Sequence, residues 1–496
     1  MKSFTWLKSL LALVMLSLSA TSTVFAGGIL TNTNLSARYA RLLALEASIS
    51  VDAAYHNPAG TIKLPEGFHF AVANQTIIQE RKITSTFPYM MDDGPKDFIG
   101  KTSSPVVPSI QGVYKKGRWA ISGSFGVVGG GGKATFNNGL PSFESGIAML
   151  APTLSAVAPT LIGITPGLDN ASLALKDYSI NQYVQGESYF FGLQLGAAYQ
   201  INDMFSVYGG ARLSVINNSY VGHLTDLKMG LKAEGMEALN INSGMNSPKP
   251  VFDWVNAVVD GAQKNPNVPE QSKKELAALG AGIVLPTMIA NNGAYLDAEQ
   301  SGWGVAPIIG VHFSHAGLNM GARYEFKTGF DVKNKTSNKD NIGMFIDGEK
   351  VDHDLPAMFS MGASYDILPN LTASIGYHHF FEKDAAMSGG KQKLLSGNTN
   401  EYLAGVEYQI NDMFLVSAGT QFTRFGMTDE FQSDLSFFLD SYSIGFGGAV
   451  NLSESVQLNA GYFFTNYSDY TKKTATTTDI YNRENKIFAI GVEFSF

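Results

Sequence analysis

The stretch Phe488-Ala489-Ile490-Gly491-Val492-Glu493-Phe494-Ser495-Phe496 decides the fold. Phe488, Ile490, Val492, Phe494 and Phe496 alternate with Ala489, Gly491, Glu493 and Ser495, so one face carries large apolar groups and the other small or polar ones. Successive side chains of a β-strand point to opposite faces, and a period of two sets the apolar row against an apolar medium. Upstream, Val456, Leu458, Ala460, Tyr462 and Phe464 alternate with Gln457, Asn459 and Gly461. The same holds for Tyr402, Ala404, Val406 and Tyr408, and for Leu318, Met320, Ala322, Tyr324 and Phe326. A buried core accounts for one such strand, whereas a long series calls for an apolar surround.

Marking strands by this period and by turn residues gives fourteen: 66–80, 105–116, 118–130, 182–201, 204–222, 302–314, 317–332, 354–367, 370–383, 400–410, 413–426, 437–451, 455–469 and 482–496. Short turns such as Lys116-Gly117, Asn202-Asp203, Leu368-Pro369 and Asn411-Asp412 alternate with long connections, the largest at 131–181 and 223–301. An even strand count with short turns at one end and long loops at the other predicts an all-β chain, a closed antiparallel transmembrane β-barrel of about 14 strands. Charged residues make up 16% of the chain while hydrophobic residues stay at 45%, and soluble proteins average about 25% charged. The net charge of -8 argues against nucleic acid as a partner. Cysteine is absent, so stability is expected from ladder closure rather than from disulfides.

Residues 1–26 read as a signal peptide: Lys2 and Lys8, a short apolar run from Leu10 to Leu18, then Val24-Phe25-Ala26. Residues 27–62 do not alternate, and 63–496 form the barrel with its long extracellular loops. Inward-phased glycines recur at one height, among them Gly310, Gly321, Gly376, Gly405, Gly419 and Gly461. Either they let the sheet curve, or they leave room for an N-terminal hatch (plug) inside the lumen.

The non-strand segment ends in Asn57-Pro58-Ala59-Gly60 just before the first strand. With Leu355-Pro356, Asn370-Leu371-Thr372 and the terminal Phe496, the chain resembles the FadL-type family of outer-membrane transporters for long-chain fatty acids and hydrocarbons. The resemblance implies a hatch that fills a fourteen-stranded barrel, a monomer, and a third strand kinked so that ligand leaves sideways into the bilayer. Here the third strand runs into Gly129-Gly130-Gly131-Gly132, which suits either a bend or the start of a loop. The terminal aromatic resembles the signal read by barrel-assembly machinery. The surroundings implied are outer-membrane lipid and lipopolysaccharide.

The loops bear on cargo. Residues 146–168 carry no charge and contain Ile147, Met149, Leu150, Leu154, Val157, Leu161 and Ile162. A second apolar patch runs from Leu276 to Ile289, after a short helix predicted around Phe252 to Val259. Such surface either captures a hydrophobic small molecule or packs over the barrel mouth. Each methylene removed from water contributes about 0.8 kcal/mol. For a ligand carboxylate the candidate cations are Arg38 and Arg41 in the hatch and the inward-phased Arg212, Arg323 and Lys327, with internal pairing to Glu325 the alternative role. Eight scattered histidines, with His378 and His379 on opposite faces, offer neither a catalytic constellation nor a metal site. The expectation is an outer-membrane channel, not an enzyme and without cofactor or metal, for passive uptake by loop capture, hatch rearrangement and lateral exit. The alternatives are a surface-exposed adhesin-like barrel and a general polar porin.

Overall fold

A computed structural model describes residues 31–90 and 94–496. The expected signal peptide therefore lies outside the described residues. Fourteen antiparallel strands form the barrel: β1 Gly67–Thr86, β2 Lys96–Lys116, β3 Trp119–Phe136, β4 Ser172–Gln200, β5 Phe205–Glu234, β6 Ala294–His315, β7 Leu318–Glu325, β8 Met358–Leu368, β9 Leu371–Phe380, β10 Asn400–Gln409, β11 Phe414–Arg424, β12 Ser441–Ser453, β13 Val456–Tyr467 and β14 Thr478–Ser495. Each pairs with its neighbour, and β14 returns to β1 with His69 opposite Ser495 and Ile77 opposite Ile487. Closure leaves no open edge, the condition a sheet must meet in hydrocarbon.

Local chemistry sets the tight ends. The sequence Tyr-Gln-Ile-Asn-Asp-Met-Phe occurs at both 199–205 and 408–414. In each copy the Asn side chain, Asn202 or Asn411, accepts from the next two amides but one at 2.9 Å, a turn built by an amide side chain. Outward residues such as Ile121, Leu195, Val311, Ile375 and Ile490 stay exposed, forming the lipid-facing belt of a membrane barrel. Rings cluster at the short-turn end, with Phe68 on Tyr114 at 4.4 Å, Trp119 on Tyr199 at 4.7 Å and Phe205 on Phe313 at 5.0 Å, where an aromatic girdle belongs.

At the opposite end several strands run further than the periodicity suggested. The expected loops 131–181 and 223–301 shrink to 137–171 and 235–293. On β5, Leu227, Met229, Leu231 and Ala233 are buried while Lys228 and Lys232 between them and Glu234 after them are not. Above the membrane the outer face meets water and the inner face meets loop helices, so the apolar row changes sides and the alternation inverts. The loop helices are α3 Pro141–Ala148, α4 Leu150–Gly163, α5 Lys249–Lys264, α6 Glu270–Gly282 and α7 Val284–Asn292. They share one apolar core with the strand tops, including Phe98, Phe136, Leu154, Met229, Phe252 and Trp254. The helix predicted at 252–259 is α5, longer at both ends. Residues 141–163 are apolar and long enough to cross a membrane by composition, but here they cap the mouth, with Pro159 inside α4.

Candidate functional site

The segment before β1 occupies the lumen. It holds two single-turn helices, α1 Tyr39–Leu42 and α2 Ala53–His56, and a 3-10 turn over Pro58–Lys63. Leu35, Tyr39, Leu43, Ala53, Tyr55 and Thr61 are almost fully buried. The glycine belt faces it: a Cβ built on Gly321, Gly376, Gly405 or Gly419 would collide with Glu46, Asn57 or Leu42, and on Gly461 it would lie 3.0 Å from Ala37 O, Ala40 Cβ and Arg41 N. Gly196 and Gly210 instead make room for the Tyr208 ring. Close approach of the hatch, rather than curvature alone, therefore explains most of the belt.

Each residue of the Asn57–Gly60 motif has a physical task. Asn57 Nδ2 donates to Ser48 O at 2.9 Å and meets His312 Nδ1 of β6 at 3.0 Å. Pro58 opens the 3-10 turn, where a missing N–H costs nothing. Ser206 Oγ donates to Ala59 O at 2.7 Å. A side chain at Gly60 would meet Ser48 O at 2.5 Å.

The candidate cations are all partnered by protein groups. Arg41 donates to Glu407 Oε2 at 2.5 Å, to Ser417 Oγ at 2.7 Å and to Asn459 Oδ1 at 2.9 Å. Arg38 reaches Glu407 Oε1 at 3.1 Å and Ser50 Oγ at 2.5 Å. Arg212 pairs with Glu325 at 2.5 Å and with Gln194 at 2.7 Å. Arg323 donates to Tyr55 O and lies over the Tyr55 ring at 4.6 Å. Lys327 departs from the inward expectation. β7 ends at Glu325, so its phase does not carry over, and Lys327 is exposed and bound to Asp354 at 2.8 Å. Arg38, Arg41 and Arg323 tie the hatch to the wall, Arg212 lies over the Tyr55 ring at 4.9 Å, and Lys327 pairs outside the hatch.

The wall is interrupted beside the glycine run. β2 pairs with β3 from Gly100 to Thr102 and again from Ile110 to Lys116, with no ladder between. Pro105 and Pro108 fall in this interval and lack the amide a ladder needs. On the other side β3 is irregular against β4 between Val127 and Gly132, with Gly130 at φ +83° and Gly132 at φ +71°. Carbonyls left free by the interruption are taken by the hatch: Asn32 N donates to Val128 O at 2.7 Å and Asn32 Nδ2 to Val127 O at 2.9 Å.

A cavity of about 1070 Å³, counting its open mouth, lies above the hatch and reaches this gap. Asn32, Asn34 and Tyr39 form its floor, Val127, Gly130 and Gly132 its gap side, and Ile77, Phe463, Ile487 and Arg483 part of its wall. Glu401 and Gln421 also line it and begin a polar chain to the hatch. Tyr39 Oη donates to Gln421 at 2.7 Å, Gln421 Nε2 to Glu401 at 2.7 Å, and His378 bridges Glu401 and Glu46 at 2.8 Å each. At the rim, burial pushes the Glu382 carboxyl up to about 7 although Thr399 N donates to it at 2.8 Å. A second, apolar pocket sits between loop helices and is lined by Phe143, Ile147, Leu150, Leu285 and Ile289.

Sequence reasoning missed Arg483 and the Glu46–His378–Glu401 bridge, because inward polar residues on a barrel strand look alike until a plug selects among them. Pro105 and Pro108 were the readable signal for the gap.

No family model and no curated protein matches this sequence. Among solved structures, a Pseudomonas aeruginosa FadL homologue matches with TM-score 0.60 at 13% identity, covering 95% of this chain and 100% of that one. The Pseudomonas putida toluene transporter TodX matches with TM-score 0.53 at 13% identity, covering 96% and 100%. The chain has the fold of these outer-membrane proteins: a fourteen-stranded barrel with an N-terminal segment inside.

Proposed function

We propose that this chain is a passive outer-membrane channel for hydrophobic small molecules, long-chain fatty acids or hydrocarbons. Ligand is taken into the apolar pocket between α3, α4 and α7, passes to the cavity above the hatch, and leaves through the β2–β3 gap into the bilayer. The observation that carries this reading is the interrupted ladder. A wall that has surrendered hydrogen bonds at membrane depth must satisfy them otherwise, and here Asn32 of the hatch supplies donors to two of the freed carbonyls. Withdrawing Asn32 would free the path from cavity to bilayer, and a hydrophobic ligand gains by never crossing the aqueous periplasm. A lumen filled by a hatch with buried ion pairs disfavours a polar porin.

The test uses the absence of native cysteine. A Cβ on Gly126 would lie 3.5 Å from Ser109 Cβ across the lower edge of the gap, within the roughly 3.5–4.5 Å span of a disulfide. Cells carrying Ser109→Cys/Gly126→Cys should take up labelled oleate slowly when oxidised and regain the rate on reduction, with neither single variant showing that redox response. Equal uptake with the bond formed and broken removes the lateral route. Equal uptake of both oleate and toluene with and without the gene removes the transport reading.

A further inference from the structure

The wall has a second irregularity at β6 and β7, away from the β2–β3 gap. β6 pairs with β7 from His315 up to Ile308, and with the short strand Asp331–Thr336 from Ser301 to Ala298. Between Ser301 and Ile308 the ladder lapses, and one bond remains, from Phe326 N to Pro307 O at 3.0 Å. Pro307 has no amide to offer, and the facing chain turns to the next strand instead. Thr328 exchanges backbone bonds with Leu355 at 3.1 and 3.0 Å, and Phe330 N donates to Asp354 Oδ1 at 3.1 Å. The bowed chain leaves a notch in the outer face, lined by Gly302, Gly304 and Gly329 and by the exposed side chains of Leu213, Val215 and Trp303. Phe330 closes it toward the lumen, buried edge-on against Phe190 at 6.0 Å in one cluster with Ile216. The notch therefore opens to the bilayer and not to the cargo path.

Strand geometry gives its depth. Phe313 belongs to the ring cluster at the short-turn end, and Trp303 lies ten residues further along β6. That is about 33 Å of strand, or about 25 Å of height at a tilt of about 40°, the apolar band of an outer-membrane barrel. Trp303, 69% exposed, thus marks the outer girdle, and the notch faces the outer leaflet. Its rim is polar, with Asp331, Lys350 and Asp352 exposed. Asp352 of the short strand Lys350–Asp352 stands opposite Asp331 in register, where like charges repel. Asp331 is met by Lys350 at 3.1 Å. Asp354, the third rim carboxylate, is tied to Lys327 at 2.8 Å and to the amides of Phe330 and Ala386.

We propose that this notch docks one hydrocarbon chain of an outer-leaflet phospholipid whose head group carries both a phosphate and a primary ammonium. The chain continues the lipid-facing belt across Leu213, Val215 and Trp303, and the head group meets the rim. The ammonium sits between Asp352 and Asp331 and removes their repulsion. Lys350 and Asp331 are 65% and 72% exposed, and an exposed pair is held weakly, so Lys350 can turn to the phosphate. A lipid with a phosphate alone would face two carboxylates across one lysine and is disfavoured. The site is independent of what the lumen carries.

The experiment places the full-length protein in phosphatidylcholine vesicles that contain an equal fraction of phosphatidylethanolamine or of phosphatidylglycerol with brominated chains, which quench tryptophan on contact. Of the described tryptophans, Trp254 is buried under the loop helices. Trp119→Phe therefore leaves Trp303 as the lipid-facing reporter, and Trp303→Phe leaves Trp119 at the opposite girdle. The ethanolamine lipid should associate at Trp303 about three- to fivefold more strongly than the glycerol lipid, and the two should be equal at Trp119. Asp352→Asn, at an exposed position, should remove the preference. Gly329→Leu should remove it too, because a Cβ there meets only Asp354 Oδ1 at 3.7 Å and the added side chain fills the notch without forcing the backbone. Equal quenching of Trp303 by the two lipids, or stronger quenching by the glycerol lipid, overturns the proposal with no substitution in the notch. The same preference at Trp119, or one that survives Asp352→Asn or Gly329→Leu, belongs to the bilayer at large and also overturns it.

Discussion

The fit between hatch and wall is tested most directly by adding a single methyl group. Gly445 of β12 faces α1, and a Cβ there would stand 2.6 Å from Ala40 O and 3.3 Å from Phe463 Cβ. Ordinary contact begins near 3.4 Å, so Gly445→Ala requires Ala40 to retreat by about 0.8 Å, the difference of the two distances. Ala40 is adjacent to Arg41, whose bonds to Glu407, Ser417 and Asn459 span 2.5 to 2.9 Å, and a shift of that size lengthens all three beyond good geometry. Overpacking of this kind costs about 1–3 kcal/mol. The control is Gly209→Ala, where a Cβ meets nothing within 4 Å. Urea unfolding followed by heat-modifiable migration reads the stability, and conductance in planar bilayers reads the seal. Gly445→Ala should lower the midpoint and raise the basal conductance, while Gly209→Ala should match the wild type. If Gly445→Ala also matches the wild type in both assays, the hatch does not rest against that wall.

The Arg41–Glu407 pair should behave as a unit. Breaking a buried pair costs about 3–5 kcal/mol, less here because Glu407 keeps 20% side-chain exposure and Arg41 retains neutral partners; a double-mutant cycle of Arg41→Met and Glu407→Leu that is additive within about 0.5 kcal/mol would show no coupling. Glu382 gives a pH signature. Its folded pKa is raised by burial to about 7 from 4.5, so the folded state holds the proton more tightly; its stabilising contribution is full below about 4.5 and fades as pH rises through 7. Glu382→Gln should flatten that slope in urea titrations between pH 4 and 8, and an unchanged slope would assign it to another group.

Much of the barrel was legible because a membrane enforces a period of two wherever lipid touches the wall. Strands β8 to β13 therefore fell close to their expected spans. The ends of β2, β4, β5 and β6 were not legible, since above the bilayer water and loop helices exchange faces and charged residues such as Lys228 and Lys232 appear where lipid-facing groups were sought. The hatch could be read from its lack of alternation and from its glycine counterparts across the lumen. Arg483 could not, because inward arginines are equivalent in sequence until packing shows which of them meet an acidic or hatch partner, as Arg212 and Arg323 do.

The ties that hold the hatch are unevenly distributed. Arg38, Arg41 and Glu46 are bound by ionisable groups on β9 and β10, whereas residues 32–35 meet β1, β2 and β3 through uncharged bonds, among them Asn34 to Gln75 at 2.6 Å and Gln111 to Leu35 O at 2.6 Å. Such bonds are worth about 1 kcal/mol each, within reach of thermal fluctuation. The arrangement is a door with a hinge on one jamb and a light catch on the other. In the channel proposed above, passage would proceed on the guest's own partition energy, with no motor pulling from the far side.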